Sequence, residues 1–508
     1  MKRRTLLRMG LATTGVGILG AGWPAVHTAL GPAEPGRLLR SQAPLPPPYQ
    51  VPLPVPKQLT PVASDAMADY YAITQQVANL AILPGLATRA WTYGGTFPGP
   101  TIVSRSGRTT VVRHVNTLPV PVVVHLHGGH TPPDSDGYPL DLITPQSTDM
   151  AHDGMGRNVT VGQREYVYPM QQRAATLWYH DHRMGSTGPA VWRGLAGFHL
   201  VRDEEEEGLP LPKGPRDIPL MIADRSFAAD GSFQYPAADG GAVAEPYMNG
   251  VLGDVVLVNG APWPVLPTDP ARYRFRILNA SNARRYRLQL DPQPAGGSAF
   301  IQIGSDGGLL PGPVNHDVLD IAPAERFDVI VDFSRYRPGT RVRLVNTLGT
   351  HSAAVVLRFD VVGTDRSDES AVPPRLSDSF RPLDRRDATA TRTFLFGQGR
   401  DGLWTINNKP YKPGDPLATP RLGEVEIWRF ITDIRHPVHV HLNQFQVLSR
   451  NNKPPGPYDR GWKDTVDVAP SEAVEVIVRF DDYRGTYLVH CHNLEHEDMA
   501  MMADFVTV

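Results

Sequence analysis

Near its end the chain carries the stretch His490-Cys491-His492-Asn493-Leu494-Glu495-His496, followed by Met499, Met501 and Met502. Cys491 is the only cysteine among 508 residues. Side chains alternate between the two faces of an extended strand, so Cys491 points one way while His490 and His492 point the other. A thiolate with imidazole and thioether groups suits a blue-copper site. The stretch therefore predicts a copper site on one face and a second metal site on the other. The alternative is a buried free thiol beside surface histidines.

Length and composition favour several β domains. A chain of 508 residues is too long for one ordinary core, and its 50 prolines and 47 glycines favour short strands and turns over long helices. The net charge of −2 provides no basic field for nucleic acid or an anionic membrane. One cysteine excludes an internal disulfide, so the thiol is expected to have another use.

The N-terminal residues resemble a targeting segment. Lys2-Arg3-Arg4 precedes a weakly apolar run rich in glycine and alanine, which is typical of a twin-arginine signal over residues 1–30. The alternative is a disordered basic tail. The run is too short to predict a membrane span. We therefore expect export to the periplasm, the cell envelope or the medium, with no membrane anchor, and a proline-rich arm over residues 31–60.

The rest of the chain contains three related copies of one unit. The sequence Pro-Ala-Glu-Arg-Phe-Asp-Val-Ile-Val-Asp-Phe at 323–333 matches Pro-Ser-Glu-Ala-Val-Glu-Val-Ile-Val-Arg-Phe at 470–480. In this register Leu344-Val345-Asn346 lies where His490-Cys491-His492 lies, and His180-Asp181-His182 is the first copy. Such repeats determine architecture. We predict three β-sandwich domains over 61–205, 206–365 and 366–508, the middle one without metal ligands.

Ten of the 17 histidines fall into four clusters. Each His-x-His pair lies in or beside a strand-like run, so both imidazoles share one face. Neutral imidazole suits copper, and the thiolate and thioether favour a copper electron-transfer centre. Zinc is the alternative, but it rarely needs more than four ligands at one site. The clusters are His125-Leu126-His127, His180-Asp181-His182, His436-Pro437-Val438-His439-Val440-His441 and the stretch from His490 to His496.

These motifs resemble the multicopper oxidases, specifically the branch of bacterial laccases and bilirubin oxidases that includes the spore-coat laccases. The motifs lie at 93–101, 125–129, 178–182, 304–308, 436–441 and 490–501. The resemblance implies an all-β chain of three cupredoxin-like Greek-key β-sandwich domains. It also implies a laccase-like oxidase that couples one-electron oxidation of phenolic, diamine or tetrapyrrole (bilirubin-type) donors to reduction of dioxygen to water.

The family's ligand roles can be transferred to this chain position by position. The resemblance implies four copper ions: one type 1, one type 2 and a type 3 pair. The type 1 ligands would be His436, Cys491 and His496, with Met501 as the axial ligand. The type 2 ligands would be His125 and His439. The type 3 ligands would be His127, His180, His182, His441, His490 and His492.

Further residues have expected catalytic roles. The resemblance implies that donors pass electrons through the outer edge of His496 and onward along Cys491. Asp136 and Glu497 correspond to acidic residues that serve oxygen reduction in this branch; the alternatives are a turn aspartate and a solvated or hydrogen-bonded glutamate. Arg435, directly before a ligand histidine, suggests a preference for anionic donors, and the alternative is a surface or ion-paired arginine.

Two other functions stay open from the sequence. A cuprous oxidase of copper tolerance is one, although relatives with that role tend to carry a methionine-rich insertion, which this chain lacks. A non-catalytic envelope protein of the same fold is the other, and the intact ligand set disfavours it. The expected partners are a small reducing substrate and dioxygen, acting on a monomer.

Overall fold

Strands make up nearly all of the regular structure in the computed structural model. It describes residues 36–146, 156–237, 243–363, 367–399 and 402–508. The predicted signal segment at 1–30 lies outside these residues. The α-helices in the described part are short, namely Thr187–Trp192, Glu204–Gly208 and Leu494–Asp498. Single 3-10 turns occur at Pro133–Ser135, Gly214–Arg216, Phe333–Arg335, His351–Ala354 and Arg385–Asp387. The prediction of an all-β chain is confirmed.

The first pair of sheets follows the proline-rich arm. One sheet contains, in spatial order, Gln163–Tyr168, Thr109–Asn116, Ala68–Leu80 and Ala63–Ser64, with Thr88–Tyr93 also paired to Ala68–Leu80. The other contains Gly99–Arg105, Ala196–Arg202, Ala175–Asp181 and Val124–His127. In Gln163–Tyr168 exposed and buried residues alternate strictly, which is the pattern of a strand with one face on a core. Both faces of Ala175–Asp181 are buried.

The second pair is the largest. Its seven-stranded sheet contains Ala261–Pro262, Val255–Val258, Asp217–Arg225, Arg272–Asn279, Arg326–Asp332, Phe300–Ser305 and Gly308–His316. Its five-stranded sheet contains Val265–Thr268, Val355–Val361, Arg341–Asn346, Tyr286–Asp291 and Val318–Ile321. The two sheets enclose a core of valine, leucine, isoleucine and aromatic residues.

The third pair of sheets is formed by the last third of the chain, which contains Cys491. One sheet contains Trp404–Ile406, Ala388–Gln398, Val425–Thr432, Ala473–Arg479 and Phe445–Arg450. The other contains Thr465–Val468, His436–Val440, Gly485–Cys491 and Met502–Thr507. Cys491 and Met501 belong to the core between these sheets. The side of Gly485–Cys491 that carries His490 therefore faces away from this core.

Contacts between the sheet pairs bury further surface. Trp178, Phe198 and Leu200 of the first pair pack on Met221 and Leu278 of the second. The arm adds to this contact, because Arg37–Leu38 pairs in parallel with Val251–Leu252 and Gln58 bridges to Thr101. The exact domain limits stay predictions. Across the described part of the chain, none of the helices has both the length and the apolar character needed to cross a membrane.

Candidate metal centre

Two strand pairs place the histidines in register. In the first third, His180 lies directly opposite His125 on the antiparallel strands Ala175–Asp181 and Val124–His127. In the last third, His439 lies opposite His490 on His436–Val440 and Gly485–Cys491. Directly opposed residues on antiparallel strands project their side chains from the same face. Each strand pair therefore presents its imidazoles together.

The two sets of imidazoles meet between the first and last thirds. The rings of His127 and His439 stack with centroids 3.7 Å apart, and those of His125 and His441 stack at 3.9 Å. Nε2 of His490 lies 3.1 Å from Nε2 of His441 and 3.3 Å from Nε2 of His182. Eight buried histidines form this imidazole cluster: His125, His127, His180, His182, His439, His441, His490 and His492.

Hydrogen bonds on the outer side of the imidazole cluster fix the orientation of its rings. Nδ1 of His125, His180 and His439 donates to the backbone carbonyls of Asp136 (2.5 Å), Asp181 (2.8 Å) and Asp464 (2.8 Å), respectively. A carbonyl only accepts, so Nδ1 carries the proton and Nε2 keeps a free lone pair. Among the described residues, these three Nε2 atoms have no hydrogen-bond partner. Unpartnered buried lone pairs that converge are the arrangement a metal ion requires.

His127 is held the other way round. Its Nε2 is 3.0 Å from Oδ1 of Asp464 and therefore donates to that carboxylate. Its Nδ1 has no hydrogen-bond partner in the part of the chain that is described, and this is the atom left to bind a metal. One imidazole of the cluster thus presents Nδ1 where its neighbours present Nε2.

Burial favours the neutral form of several of these imidazoles. It lowers the pKa of His125, His441 and His490 well below the usual value, and neighbouring histidines lower them further. Burial lowers the pKa of His182 to about 4, although the negative charge of Glu497 acts to raise it. Neutral imidazole is the form that binds metal. The cluster therefore fits metal ions at neutral pH.

A second cluster, the thiol cluster, lies on the opposite face of the strand Gly485–Cys491 and consists of His436, Cys491 and His496. Sγ of Cys491 is 3.3 Å from Nδ1 of His436 and 3.7 Å from Nδ1 of His496. Those two nitrogens are 3.1 Å apart. All three side chains are fully buried. The set of one thiol and two imidazoles matches the donors of a blue-copper site.

The short helix Leu494–Asp498 returns the chain to the thiol cluster. Met501 receives a backbone hydrogen bond from Cys491 (3.1 Å) and donates one to the carbonyl of His496 (3.0 Å). Met501 is fully buried and belongs to the same core as Cys491. Burial raises the pKa of the Cys491 thiol far above its ordinary range, so the free thiol is protonated. A bound metal ion would displace that proton, because coordination deprotonates a thiol outright.

Asp136 and Glu497 lie against the imidazole cluster. Asp136 accepts a hydrogen bond at Oδ2 from Nδ1 of His441, at 2.7 Å. Glu497 lies 3.3 Å from Nδ1 of His182 and 3.2 Å from Nδ1 of His490. Both carboxyls are buried, and burial raises both pKa values. Thr187, which the sequence analysis missed, donates its hydroxyl to Glu497 at 2.6 Å.

Another side chain covers the ring of His496, through whose outer edge donors are expected to deliver electrons. The His496 ring is fully buried. The indole of Trp404 covers it, with ring centroids 3.9 Å apart, and Trp404 is itself only 2% exposed. In the same cluster, the ring nitrogen Nε2 of His436 lies 3.1 Å from the carboxylate of Asp433, which is 44% exposed. Neither Trp404 nor Asp433 belongs to a sequence motif. Their position beside the thiol cluster depends on tertiary packing, so the sequence alone did not reveal it.

Arg435 is ion-paired. Its Nη1 lies 2.9 Å from Oδ2 of Asp467, and the arginine side chain is 32% exposed. Asp467 also accepts from Arg285 at 2.7 Å. One carboxylate thus faces two guanidinium groups. Asp464 and its partner Arg326, which lie next to the imidazole cluster, were also not predicted from the sequence.

Comparison with known proteins agrees with this geometry. Two multicopper oxidase family models match residues 74–206 and 371–508. A laccase of Bacillus stratosphericus is 38% identical to this chain over 89% of the chain and 97% of that protein. The chain belongs to the multicopper oxidase family. A bilirubin oxidase of Albifimbria verrucaria is also similar, with 34% identity over 92% of this chain and 83% of that protein.

Solved multicopper oxidases share the fold of this one. A laccase of Pediococcus acidilactici superposes with a TM-score of 0.80 at 32% identity, over 93% of this chain and 96% of the other. A multicopper oxidase of Aquifex aeolicus gives 0.75 at 32% identity, over 92% and 100%. The prediction of cupredoxin-like β-sandwich domains is confirmed, as is that of a laccase-like, copper-dependent oxidoreductase that uses dioxygen with small-molecule substrates.

Proposed function

We propose that the two clusters hold four copper ions in the arrangement expected from the sequence. His436, Cys491, His496 and Met501 would hold the type 1 ion. His125 and His439 would hold the type 2 ion. The type 3 pair would be held by His127, His180, His182, His441, His490 and His492. Bound copper supplies the one-electron redox chemistry that joins oxidation of a donor to reduction of dioxygen to water.

The observation that supports this proposal is the position of Cys491 between two ligand histidines. Its thiol lies in the thiol cluster, 3.3 Å from His436. Its chain neighbours His490 and His492 lie in the imidazole cluster. A few backbone bonds therefore connect the two clusters, and this short covalent path gives donor electrons a route from one to the other. Apart from these bonds, the thickness of one strand separates the two buried clusters.

The chain also supplies protons at the imidazole cluster. Asp136 and Glu497 are buried carboxyls, and burial raises the pKa of each, which favours its protonated form. Reduction of dioxygen to water consumes protons, and the buried imidazole cluster is shielded from bulk solvent. We infer that the two carboxyls deliver protons there, Asp136 beside His441 and Glu497 between His182 and His490.

Donors would approach the thiol cluster from the surface at Asp433 and Leu403. Asp433 connects His436 to solvent, and Leu403, next to Trp404 in the chain, is 41% exposed. Laccases and a bilirubin oxidase are among the similar proteins, so we propose phenols, diamines and bilirubin-type tetrapyrroles as donors. We further propose that the protein is a monomer, that it is exported through the twin-arginine segment and that it carries no membrane anchor.

Arg435 is proposed to favour anionic donors over neutral ones. Its ion pair with Asp467 limits the effect, because a partly exposed charge contributes about 0.2–1 kcal/mol. Arg435→Ala should lower kcat/KM for a sulfonated dye relative to a neutral phenol by no more than about fivefold. An unchanged ratio of the two kcat/KM values would show that Arg435 serves only its ion pair.

The proposed copper centre is tested on copper-loaded protein. We expect an intense blue absorption band from the Cys491 thiolate, and oxygen uptake with phenols, a diamine and bilirubin. Cys491→Ser should abolish the band and the oxygen uptake while copper bound by the imidazole cluster remains measurable. A band that survives in Cys491→Ser refutes the assignment. Oxygen uptake with Cu(I) but with none of the organic donors would identify a cuprous oxidase instead.

A further inference from the structure

One arginine of the middle third touches all three thirds of the chain. Arg326 is fully buried on the strand Arg326–Asp332. Its Nε donates to the carbonyl of Thr176 in the first third, at 2.9 Å. Its Nη1 donates to Oδ1 of Asp464 in the last third, at 2.7 Å, and Nη2 donates to the other oxygen of that carboxylate. Within the middle third, Nη1 and Nη2 also donate to the carbonyls of Ala324 (3.0 Å) and Asp306 (3.1 Å).

Asp464 in turn holds one imidazole from the first third, His127, and one from its own third, His439. Its Oδ1 accepts from Nε2 of His127 at 3.0 Å, and its backbone carbonyl accepts from Nδ1 of His439 at 2.8 Å. The two rings stack at 3.7 Å. Because Asp464 accepts the Nε2 proton of His127, that imidazole must offer Nδ1 to a metal, whereas His439 offers Nε2.

The carboxylate of Asp464 lies close enough to the rings of His127 and His439 to share a metal ion with them. The fork of Arg326 argues against this, because it occupies both carboxylate oxygens. Asp306 also holds Asp464 and its chain neighbour Lys463 in place. Oδ2 of Asp306 accepts from the backbone amide of Asp464 (3.3 Å) and lies 2.9 Å from Nζ of Lys463. Asp464 is therefore held as an acceptor for histidines.

We propose that Arg326 is a positioning residue for the imidazole cluster. By holding Asp464, it fixes which nitrogen His127 presents and how far His127 stands from His439. The middle third, which lacks ligands, would thus set the relation between the two thirds that carry them. This inference rests on the proposed copper centre and adds a role for a residue outside the ligand set.

The matched control is Arg276, another fully buried arginine of the same sheet. It is paired with Asp217 at 2.8 Å and with Glu206 at 2.5 Å. No hydrogen bond or ion pair joins Arg276 to a histidine in the described residues. Lysine keeps the charge of either arginine but loses its bidentate fork. Arg326→Lys and Arg276→Lys therefore perturb comparable buried ion pairs, only one of which reaches the imidazole cluster.

The test measures copper per chain under chelator competition, the blue band and the electron paramagnetic resonance spectrum of the copper bound outside the thiol cluster. We expect Arg326→Lys to weaken copper binding at the imidazole cluster about 10–100-fold, while the blue band per chain is retained. The spectrum should change, because His127 loses its fixed orientation. Arg276→Lys should lower the unfolding temperature and leave copper affinity and spectrum as in the wild type. Asp464→Asn, which keeps the side-chain volume, should reproduce the Arg326→Lys loss and serves if that variant does not fold.

Two results would overturn the inference while the copper centre stands. One is wild-type copper affinity and an unchanged spectrum in Arg326→Lys or in Asp464→Asn. The other is an equal loss of copper in Arg276→Lys, which would indicate a general effect of buried charge. A wild-type protein that shows neither copper binding nor the blue band would refute the proposed centre itself, and with it this inference.

Discussion

Replacement of Trp404 by alanine tests whether this side chain shields the thiol cluster from donors. Its indole lies 3.9 Å from the ring of His496 and 5.5 Å from that of His436. Its Nε1 donates to the carbonyl of Met248 at 3.2 Å. Only 2% of the residue is exposed. Removing the indole would therefore open a cavity directly beside the imidazoles of His436 and His496.

The expected magnitude follows from these contacts. A buried tryptophan replaced by alanine costs about 3–5 kcal/mol, because packing is lost and the cavity collapses only in part. Trp404→Phe keeps an aromatic ring against His496 and loses the hydrogen bond to Met248, at a cost of about 1–2 kcal/mol. We expect Trp404→Ala to raise kcat/KM for bulky donors relative to small phenols, since the edge of His496 becomes accessible, and Trp404→Phe to leave that ratio unchanged.

The assay combines urea unfolding, followed through the blue band, with oxygen uptake on one bulky and one small donor. Trp428 provides the control, because it is fully buried in the same third and packs on Phe394 and Phe505 rather than on a ligand histidine. Trp428→Ala should lose similar stability without changing the donor ratio. Equal donor ratios in the two alanine variants, or a loss below about 1 kcal/mol in Trp404→Ala, would refute the reasoning.

Three further outcomes are expected. Asp136→Asn should lower steady-state oxygen consumption by about 10²-fold or more, while a donor still bleaches the blue band at the wild-type rate in stopped flow without oxygen; parallel losses would indicate a structural role. Chelation of copper should lower stability by at least about 2.7 kcal/mol relative to protein at free copper 100 times Kd, and calorimetry at several copper concentrations would contradict this if the unfolding temperature stayed constant. The pKa of Glu206, raised by burial but lowered more strongly by Arg276 and Arg274, falls from 4.5 to about 2. Its ion pairs therefore stabilise the fold above the unfolded pKa, and that stability is lost as the pH falls from 4.5 towards 2. Glu206→Gln should be less stable at neutral pH and lose less on acidification, as urea unfolding across pH would show.

Much of the metal centre could be predicted because its signals are local. Alternation along one strand places Cys491 opposite its neighbours His490 and His492, whatever the rest of the chain does. The same reasoning pairs His125 with His127. The repeat between 323–333 and 470–480 predicted related β units, because strands of one fold bury the same alternate positions. These features depend on residues within a few positions of one another.

Other features of the site could not be predicted, because they join residues far apart in the chain. Arg326 and Asp464 are separated by 138 positions, and neither belongs to a spaced motif. The pairing of Arg435 with Asp467 depends on antiparallel strands whose register a single sequence does not reveal. The same limit applies to the covering of His496, since the indole that packs on it comes from the distant strand Trp404–Ile406.

The sequence by itself determined the identity of the donor atoms, the strand faces that carry them and the threefold repetition of the fold. Strand geometry has a period of two, so residue type and spacing suffice for those conclusions. Only the tertiary structure decided which nitrogen each imidazole presents, which carboxyls lie beside them and what covers the thiol cluster. Hydrogen bonds, burial and steric access depend on which strands pack together, and packing is a property of the whole chain.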